Sequence, residues 1–321
     1  MGTSMPRTFL CLFLVIGCTC EKDEGPVDAP ASDRATTSRP TLAAPTTLTF
    51  AAEEPAQVVS LALSPDGTRV AASGWGKRVV SLPLDGSTGT ELHRIGDGDL
   101  FQDGAMAWSG DRLAVGTFSF LVLLDPAGTT IAQLEGRTHS VAAHGTGFVR
   151  AVDFAAVELV GADGVAGTRV DLADVREVAS TDDAVFALAT DGGDYVLVEL
   201  DPITLAERGR SAAPGNAALA SAADGRLVLV SGDTTTLTNG RATVGPIARG
   251  DFPEDLTSFS IDGPWMAGLG FNRGVALFDL GTRTLLARAD SENGEDIVLD
   301  GDRRVIAAGA GGVYVFAITR E

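Results

Sequence analysis

Residues 60–86 read SLALSPDGTRVAASGWGKRVVSLPLDG, and this stretch decides the fold. It holds three short apolar runs, separated by a Ser-Pro-Asp-Gly turn and a Gly-Trp-Gly break, and the third run stops at Asp85. None of the runs has a helical stripe, whereas short apolar runs bounded by Gly, Pro and Asp are typical of β-strands. The stretch therefore predicts three consecutive strands joined by tight turns.

The same pattern recurs along the chain with a period of about 39 residues. The turns between first and second strands repeat at this spacing, from SPDG at 64–67 to DGDR at 300–303. Asp or Asn is expected at the end of each third strand because its side chain can close a turn on its own backbone. These turns fall at Asp85, Asp125, Asp163, Asp201, Asn239 and Asp279. A fourth strand follows six of them, and four strands in about 40 residues are the signature of a propeller blade.

The seventh repeat has no residues left for a fourth strand, because its third strand, VYVFAIT, stops at Thr319. A suitable strand, TTLTFAA, is available at residues 46–52. Pairing the two ends would remove an open sheet edge. We therefore predict an all-β domain over residues 46–321, a seven-bladed β-propeller of four-stranded blades whose last blade is closed by the N-terminal strand. Six or eight blades are the alternative counts.

The first residues of the chain are typical of an export signal. Arg7 precedes the apolar run FLCLFLVI at residues 9–16, which is too short to span a bilayer. The run ends in Val-Ile-Gly-Cys, which resembles the lipobox of bacterial lipoproteins. The resemblance implies a signal peptide over residues 1–17 and lipidation of Cys18. An ordinary secretion signal is the alternative.

Residues 18–45 are rich in Pro, Ala, Ser, Thr and charge, and they predict a disordered tether behind the anchor. In the lipoprotein family an acidic residue directly after the cysteine favours the inner membrane. Thr19 stands there, so the resemblance favours the outer membrane of the cell envelope. All three cysteines, Cys11, Cys18 and Cys20, precede the predicted domain, which leaves it without a disulfide or a thiolate metal site.

The charge balance restricts the partners. Asp and Glu number 43 against 24 Lys and Arg, a formal net charge of −19. A nucleic-acid partner is therefore disfavoured, and membrane contact is expected through the lipid anchor only. We expect a monomer.

The repeats resemble those of WD-repeat and YVTN-type propellers. In addition to residues 60–86, the segment GVALFDL has Phe278-Asp279 where the WD family has Trp-Asp. The Gly-His dipeptide that opens a typical WD repeat is missing, and the third repeat matches least well. The resemblance implies the architecture and a partner-binding face formed by the connections between blades, without membership of the strict WD family.

The residues with catalytic or metal-binding potential are few. There are three histidines, and His139 and His144 are predicted to be solvated loop residues in preference to a zinc pair. Asp97, Asp99 and Asp103 superficially resemble a calcium loop, but Trp108 occupies the place of the required glutamate. An ordinary solvated loop is favoured over a calcium site, and no cofactor or metal is predicted.

Acidic residues concentrate in the connections from one predicted blade to the next. These connections are expected on one face, where clustered carboxylates would attract a basic partner. The alternative is that so acidic a domain carries acids in most of its loops. This candidate acidic rim consists of Glu53, Glu54, Asp97, Asp99, Asp103, Asp251, Glu254, Asp255, Glu292, Glu295 and Asp296.

The leading functional hypothesis is a lipid-anchored scaffold or binding module that presents the acidic rim to a protein partner in the cell envelope. Two other classes stay open. One is a propeller enzyme resembling lactonases or quinone-dependent dehydrogenases, which would need a polar cluster converging on the central channel. The other is a sensor of a cation or small ligand at the same rim.

Overall fold

The computed structural model describes residues 39–50, 57–213, 218–221, 226–231, 234–239, 242–247, 256–270, 274–282, 284–290, 294–309 and 311–320, with side chains described outside residues 214–257. All regular structure in these ranges is β-strand, as the sequence predicted. Among these residues there is no helix long and apolar enough to cross a membrane.

The described strands form seven antiparallel sheets, six of which consist of four strands in chain order. The first three sheets are β3 (Val58–Leu63), β4 (Arg69–Gly74), β5 (Arg78–Pro83) and β6 (Thr90–Arg94); β7 (Phe101–Ser109), β8 (Arg112–Thr117), β9 (Phe120–Leu124) and β10 (Thr130–Glu135); and β11 (Thr138–His144), β12 (Gly147–Val152), β13 (Ala156–Val160) and β14 (Ala166–Asp171). The next three are β15 (Glu177–Ser180), β16 (Val185–Asp191), β17 (Asp194–Leu200) and β18 (Glu207–Ala212); β19 (Ala218–Ser221), β20 (Arg226–Ser231), β21 (Thr234–Asn239) and β22 (Ala242–Ile247); and β23 (Leu256–Asp262), β24 (Trp265–Gly270), β25 (Gly274–Asp279) and β26 (Thr284–Ala289).

The last sheet joins the two ends of the described chain. It contains β27 (Gly294–Asp300), β28 (Arg304–Gly309) and β29 (Gly312–Arg320), and two short N-terminal strands, β1 (Pro40–Leu42) and β2 (Thr46–Thr47), pair one after the other along β29. The N-terminal pairing thus begins at Pro40, inside the segment assigned to the tether. It continues as far as Leu48, whose N–H donates to the Val313 carbonyl at 2.9 Å.

The aspartates at the ends of the third strands close their turns as predicted. Asp85 Oδ1 accepts from the Ser87 N–H at 2.9 Å, and Asp201 Oδ1 accepts from the Thr204 N–H at 2.8 Å. Equivalent carboxylate-to-backbone bonds are made by Asp125, Asp163 and Asp279. The side chain of Asn239 lies outside the described part.

Apolar side chains fill the spaces between neighbouring sheets. One cluster joins the first and second sheets through Val79, Trp108 and Val115, and another joins the last and first sheets through Ile306 and Leu61. The first strand of each sheet contacts the first strand of the next, from β3 to β27, and β27 also contacts β3. The sheets therefore stack side by side in the manner of propeller blades.

Candidate functional site

The site lies at what we call the entry edge, the edge of each sheet at which its first strand begins and its second strand turns into its third. Backbone hydrogen bonds fix this arrangement in successive sheets. The Trp75 N–H donates to the Gln57 carbonyl at 3.1 Å, and the Phe118 N–H donates to the Leu100 carbonyl at 3.0 Å. Turn residues are thereby held beside the start of the first strand, so side chains from both segments reach the same surface.

A cavity of about 380 Å³ opens at the entry edge between five sheets. The first strands of the second, third, fourth, sixth and last sheets all contribute to its wall. Its ionisable lining residues are Asp103, Arg137, His139, Arg176, Glu177, Glu295 and Asp296. Three residues of the predicted acidic rim, Asp103, Glu295 and Asp296, therefore meet at one cavity, together with two arginines and a histidine.

Asp296 is buried and ties three sheets together. Its Oδ1 accepts from Ser258 Oγ of the sixth sheet at 2.7 Å and from the Ile297 N–H at 2.8 Å. Its Oδ2 accepts from the Leu61 N–H of the first sheet at 2.6 Å. Burial raises the pKa of Asp296 to about 6 despite these hydrogen bonds, and the charge of Asp103 adds to the rise. Asp296 is therefore a buried member of the cavity wall and not an exposed rim residue.

The other two acids are better placed to meet a ligand. Glu295 is half-buried, and its Oε1 accepts from Gln57 Nε2 at 2.5 Å. Asp103 is exposed beside the cavity, where desolvation raises the pKa of its carboxyl. Since desolvation disfavours an isolated negative charge, a cation in the cavity would stabilise the ionised carboxylates of both Asp103 and Asp296.

Arg137 stands between two exposed aromatic rings. Its Cζ atom lies 4.0 Å from the centroid of the Phe118 ring and 5.2 Å from that of Phe154, distances typical of cation–π contacts. Its Nε and Nη2 both donate to Gln102 Oε1, at 3.1 and 3.0 Å. The guanidinium group is thus held in one orientation before any partner arrives.

Phe154 is kept in a strained turn. Asp153 and Phe154 have φ angles of 52° and 54°, and the Ala155 N–H closes the turn on the Val152 carbonyl at 2.8 Å. Two central residues with positive φ are the pattern of a type I′ turn, for which Asn-Gly is the usual sequence. A bulky side chain in this conformation costs about 1 kcal/mol or more, and such strain is concentrated at functional sites.

The prediction that His139 and His144 are solvated loop residues is wrong. His139 lies in β11 with 8% of its surface exposed, its ring stacks on Phe154 at 3.3 Å between centroids, and desolvation, with the charge of Arg137, lowers its pKa to about 4. His144 ends β11, where Nε2 donates to the Pro202 carbonyl and Nδ1 accepts from Ser180 Oγ, both at 2.7 Å. His144 therefore bridges the third and fourth sheets, while His139 lines the cavity.

Asp97 and Asp99 lie apart from Asp103. They line a second cavity of about 430 Å³, beside His93 and Gln133. Asp97 pairs with Lys77 at 3.2 Å, and Asp99 Oδ2 accepts from Thr117 Oγ1 at 2.7 Å, so Asp99 fastens its loop to the neighbouring turn. In the described part of the chain, no three His, Cys, Asp or Glu side chains are grouped so that they could hold a metal ion.

The rest of the acidic rim and the lipidation site lie outside the described residues. These residues are Cys18, Glu53, Glu54, Asp251, Glu254, Asp255 and Glu292. The sequence missed Arg137, His139 and Arg176 as members of the site, although all three occupy inter-blade connections or the first residues of the following strands. Searching those segments for every ionisable side chain, and not for acids alone, would have found them.

Asp296 and His139 predict pH effects of opposite sign. The pKa of Asp296 is raised from 3.8 to about 6, so the folded protein binds the proton more tightly and its free energy of unfolding falls as pH rises from 4 to 6. The pKa of His139 is lowered from 6.5 to about 4, so the free energy of unfolding rises over the same interval. Each effect amounts to about 3 kcal/mol over its full range.

The two effects can be separated with Asp296→Asn and His139→Gln in urea unfolding at pH 4.5 and 6.0. From pH 4.5 to 6.0, the free energy of unfolding of Asp296→Asn should rise by about 2 kcal/mol, because only His139 still contributes. That of His139→Gln should fall by a similar amount, because only Asp296 still contributes. The wild-type protein, in which the two contributions oppose, is the reference. Slopes of the same sign in the two variants would contradict the assignment.

Comparison with known proteins finds no matching family model and no matching curated protein. The chain is an all-β protein of stacked antiparallel sheets with a mixed-charge cavity at the entry edge.

Proposed function

We propose that the chain is an exported, lipid-anchored binding protein whose seven sheets are the blades of a closed β-propeller. The contact between β27 and β3, and the apolar cluster shared by the last and first sheets, support closure of the ring. The N-terminal strands in the last sheet support it further, since they cover an edge that would otherwise be open. Cys18 in its lipobox-like context supports the anchor, and Thr19 favours the outer membrane.

The function is protein binding at the entry edge, and the arginine shared by two exposed aromatic rings carries this proposal. Phe118 and Phe154 belong to turns of neighbouring sheets, are 43% and 38% exposed, and both stack on Arg137. Trp75, 61% exposed, occupies the corresponding turn of the first sheet. Single exposed aromatics are ordinary, but aromatic residues grouped with arginine are the composition of binding hot spots.

Charge complementarity indicates the kind of partner. The chain has a formal net charge of −19, and Asp103 and Glu295 lie at the same entry edge. A partner segment with apolar side chains flanked by lysine or arginine would fit the rings and the carboxylates together, and long-range attraction would speed its association.

The test is site-specific photo-crosslinking in cells with the full-length, anchored protein. A photoreactive amino acid at Trp75 or Phe118 is expected to give protein adducts whose crosslinked peptides contain basic residues. The same amino acid at Val165 or Ile203, exposed residues in third-to-fourth-strand turns, should give none. Equal adducts at all four positions, or captured peptides without basic residues, would reject the proposal.

The variant Phe154→Gly tests whether the Phe154 ring contributes to partner binding. Glycine suits positive φ, so relief of strain should offset the lost ring contacts and leave the melting temperature nearly unchanged. We expect the adducts from Phe118 to fall about tenfold, as for the loss of a hot-spot side chain. Cys18→Ser, expected to leave the membrane fraction, shows whether the anchor is needed for capture.

A further inference from the structure

The cavity at the entry edge has walls of opposite charge. Asp103 comes from β7 of the second sheet, and Glu295 and Asp296 come from β27 of the last sheet. Asp103 and Asp296 line the same cavity, and the charge of Asp103 contributes to the raised pKa of Asp296. Arg137, His139 and Arg176 come from the third and fourth sheets, where Glu177 is the one acid that lines the cavity.

We propose that this cavity binds a small zwitterion, with its ammonium group at Asp103 and Glu295 and its carboxylate at Arg137, His139 and Arg176. The proposal goes beyond the docking of a protein partner, because it concerns a free small molecule inside the cavity. A volume of about 380 Å³ lies within the usual range for small-ligand sites.

His139 is the independent sign of a ligand. It is more than nine-tenths buried, it lines the cavity, and its Nε2 atom has no hydrogen-bond partner among the described residues. Buried polar atoms are almost always paired, so an unpaired one calls for an explanation. The low pKa keeps the imidazole neutral at pH 7. The Nε2 atom is itself buried, so a carboxylate can reach it only when a neighbouring side chain moves aside. In the tautomer protonated at Nε2, the ring would then donate to the carboxylate without placing another charge in the cavity.

The two arginines of the cavity are already restrained by contacts within the protein. Arg137 is already oriented by Gln102 and Phe118, which reduces the entropy lost on binding a carboxylate. Arg176 is stacked on Tyr195 at 5.5 Å and lies 3.6 Å from Asp174, which restrains it in the same way. Asp296, whose oxygens are occupied by Ser258, Leu61 and Ile297, contributes its field and not a direct contact.

The test uses ω-amino acids of increasing length, from glycine to 8-aminooctanoate, titrated calorimetrically into the purified full-length protein. One length should match the distance between the walls. The ω-amino acid of that length is expected to bind at least about tenfold more tightly than the n-alkylamine and the n-alkanoate of the same length. Each of these analogues carries one charge and so loses one set of charge-assisted hydrogen bonds. A series in which no zwitterion exceeds both analogues overturns the proposal.

Variants and controls distinguish the cavity from surface charge. Glu295→Gln and Arg176→Gln should each weaken the preferred zwitterion about tenfold. Asp171→Asn and Arg169→Gln remove an exposed ion pair of the same chemistry on β14 and should change nothing. Unchanged binding in both cavity variants overturns the proposal.

Nuclear magnetic resonance of the wild-type protein gives a readout that needs no variant. The chain has only three histidines, and of these His139 alone lines the cavity. The preferred ω-amino acid should shift the ring signals of His139 and leave those of His93 and His144 in place. Movement of the other two without His139 overturns the proposal. Protein docking is tested separately, by crosslinking at Trp75 and Phe118, so either proposal can fail without the other.

Discussion

Deletion of residues 40–48 is expected to lower the midpoint of thermal unfolding by about 10–20 °C. The deletion removes β1, β2 and Leu48, which together pair with most of β29. Leu48 is 4% exposed and packs in the cluster between the last and first sheets. Loss of a buried leucine with several backbone hydrogen bonds amounts to about 5 kcal/mol.

The position of the lost strand makes the effect global. β29 would become an open edge with unpaired N–H and C=O groups. The neighbouring sheet would also lose a contact, since the Gly89 N–H donates to the Thr49 carbonyl at 3.0 Å beside the deleted segment. If the sheets form a closed ring, this strand fastens the ring where the two ends of the chain meet.

A deletion of equal length in the predicted tether, residues 24–32, is the matched control and should leave the melting temperature unchanged. Leu48→Ser tests the apolar contact alone and should produce about half of the effect. Differential scanning calorimetry of the three variants and the wild type measures their melting temperatures. A melting temperature of the 40–48 deletion within about 2 °C of the wild-type value would reject closure by the N-terminal strand.

The sequence is most informative where local chemistry determines the structure. Asp85, Asp125 and Asp201 close turns within their own few residues, so their spacing along the chain is enough to reveal the repeat. The start of the N-terminal pairing is harder to predict. Pro40–Leu42 has no alternating pattern of useful length, and its strand conformation depends on β29, which is nine residues long and extends to Arg320.

The candidate site is predictable only in part because its properties arise from contacts between separate strands and turns, several of them in different sheets. The sequence pattern places Asp296 on an exposed rim, but Ser258 and Leu61, from two other sheets, surround its carboxylate. His139 is buried by Phe154, which reaches it from a turn of the same sheet. Such contacts depend on the register of strands distant in sequence, which the period of the repeat does not specify.

Arg150 is a clear departure from the repeat. Arg150 of β12 has a cross-strand partner, Glu158 of β13. In other sheets, the positions equivalent to Arg150 are occupied by Ala72, Val115, Gly268 and Ala307. The positions equivalent to Glu158 are occupied by Val80, Val122, Ala276 and Tyr314. The third sheet thus has a charged pair where other sheets have small or apolar residues. This helps to explain why the third repeat resembles the others least.

The pair is buried within the third sheet, and its arginine also reaches the second sheet. Arg150 is 3% exposed, and its Nε and Nη2 donate to Glu158 Oε2 at 2.8 and 2.5 Å. Other guanidinium N–H groups reach the Leu134 and Glu135 carbonyls of β10, at 3.4 and 3.1 Å. Arg150 therefore connects the outer strand of the second sheet to the third sheet.

Arg150→Val is expected to lower the free energy of unfolding by about 3–5 kcal/mol, because it leaves the Glu158 carboxylate buried without its cation. Glu158→Val should cost less, since the Leu134 and Glu135 carbonyls still accept from the guanidinium group. The double variant reproduces the Val115–Val122 pair of the second sheet and should be more stable than Arg150→Val alone, because no buried charge remains. Urea unfolding of the three variants, analysed as a double-mutant cycle, measures the coupling. Additive losses would show that Arg150 and Glu158 are not coupled, and the cost of Arg150→Val would then reflect only its lost contacts with the carbonyls of β10.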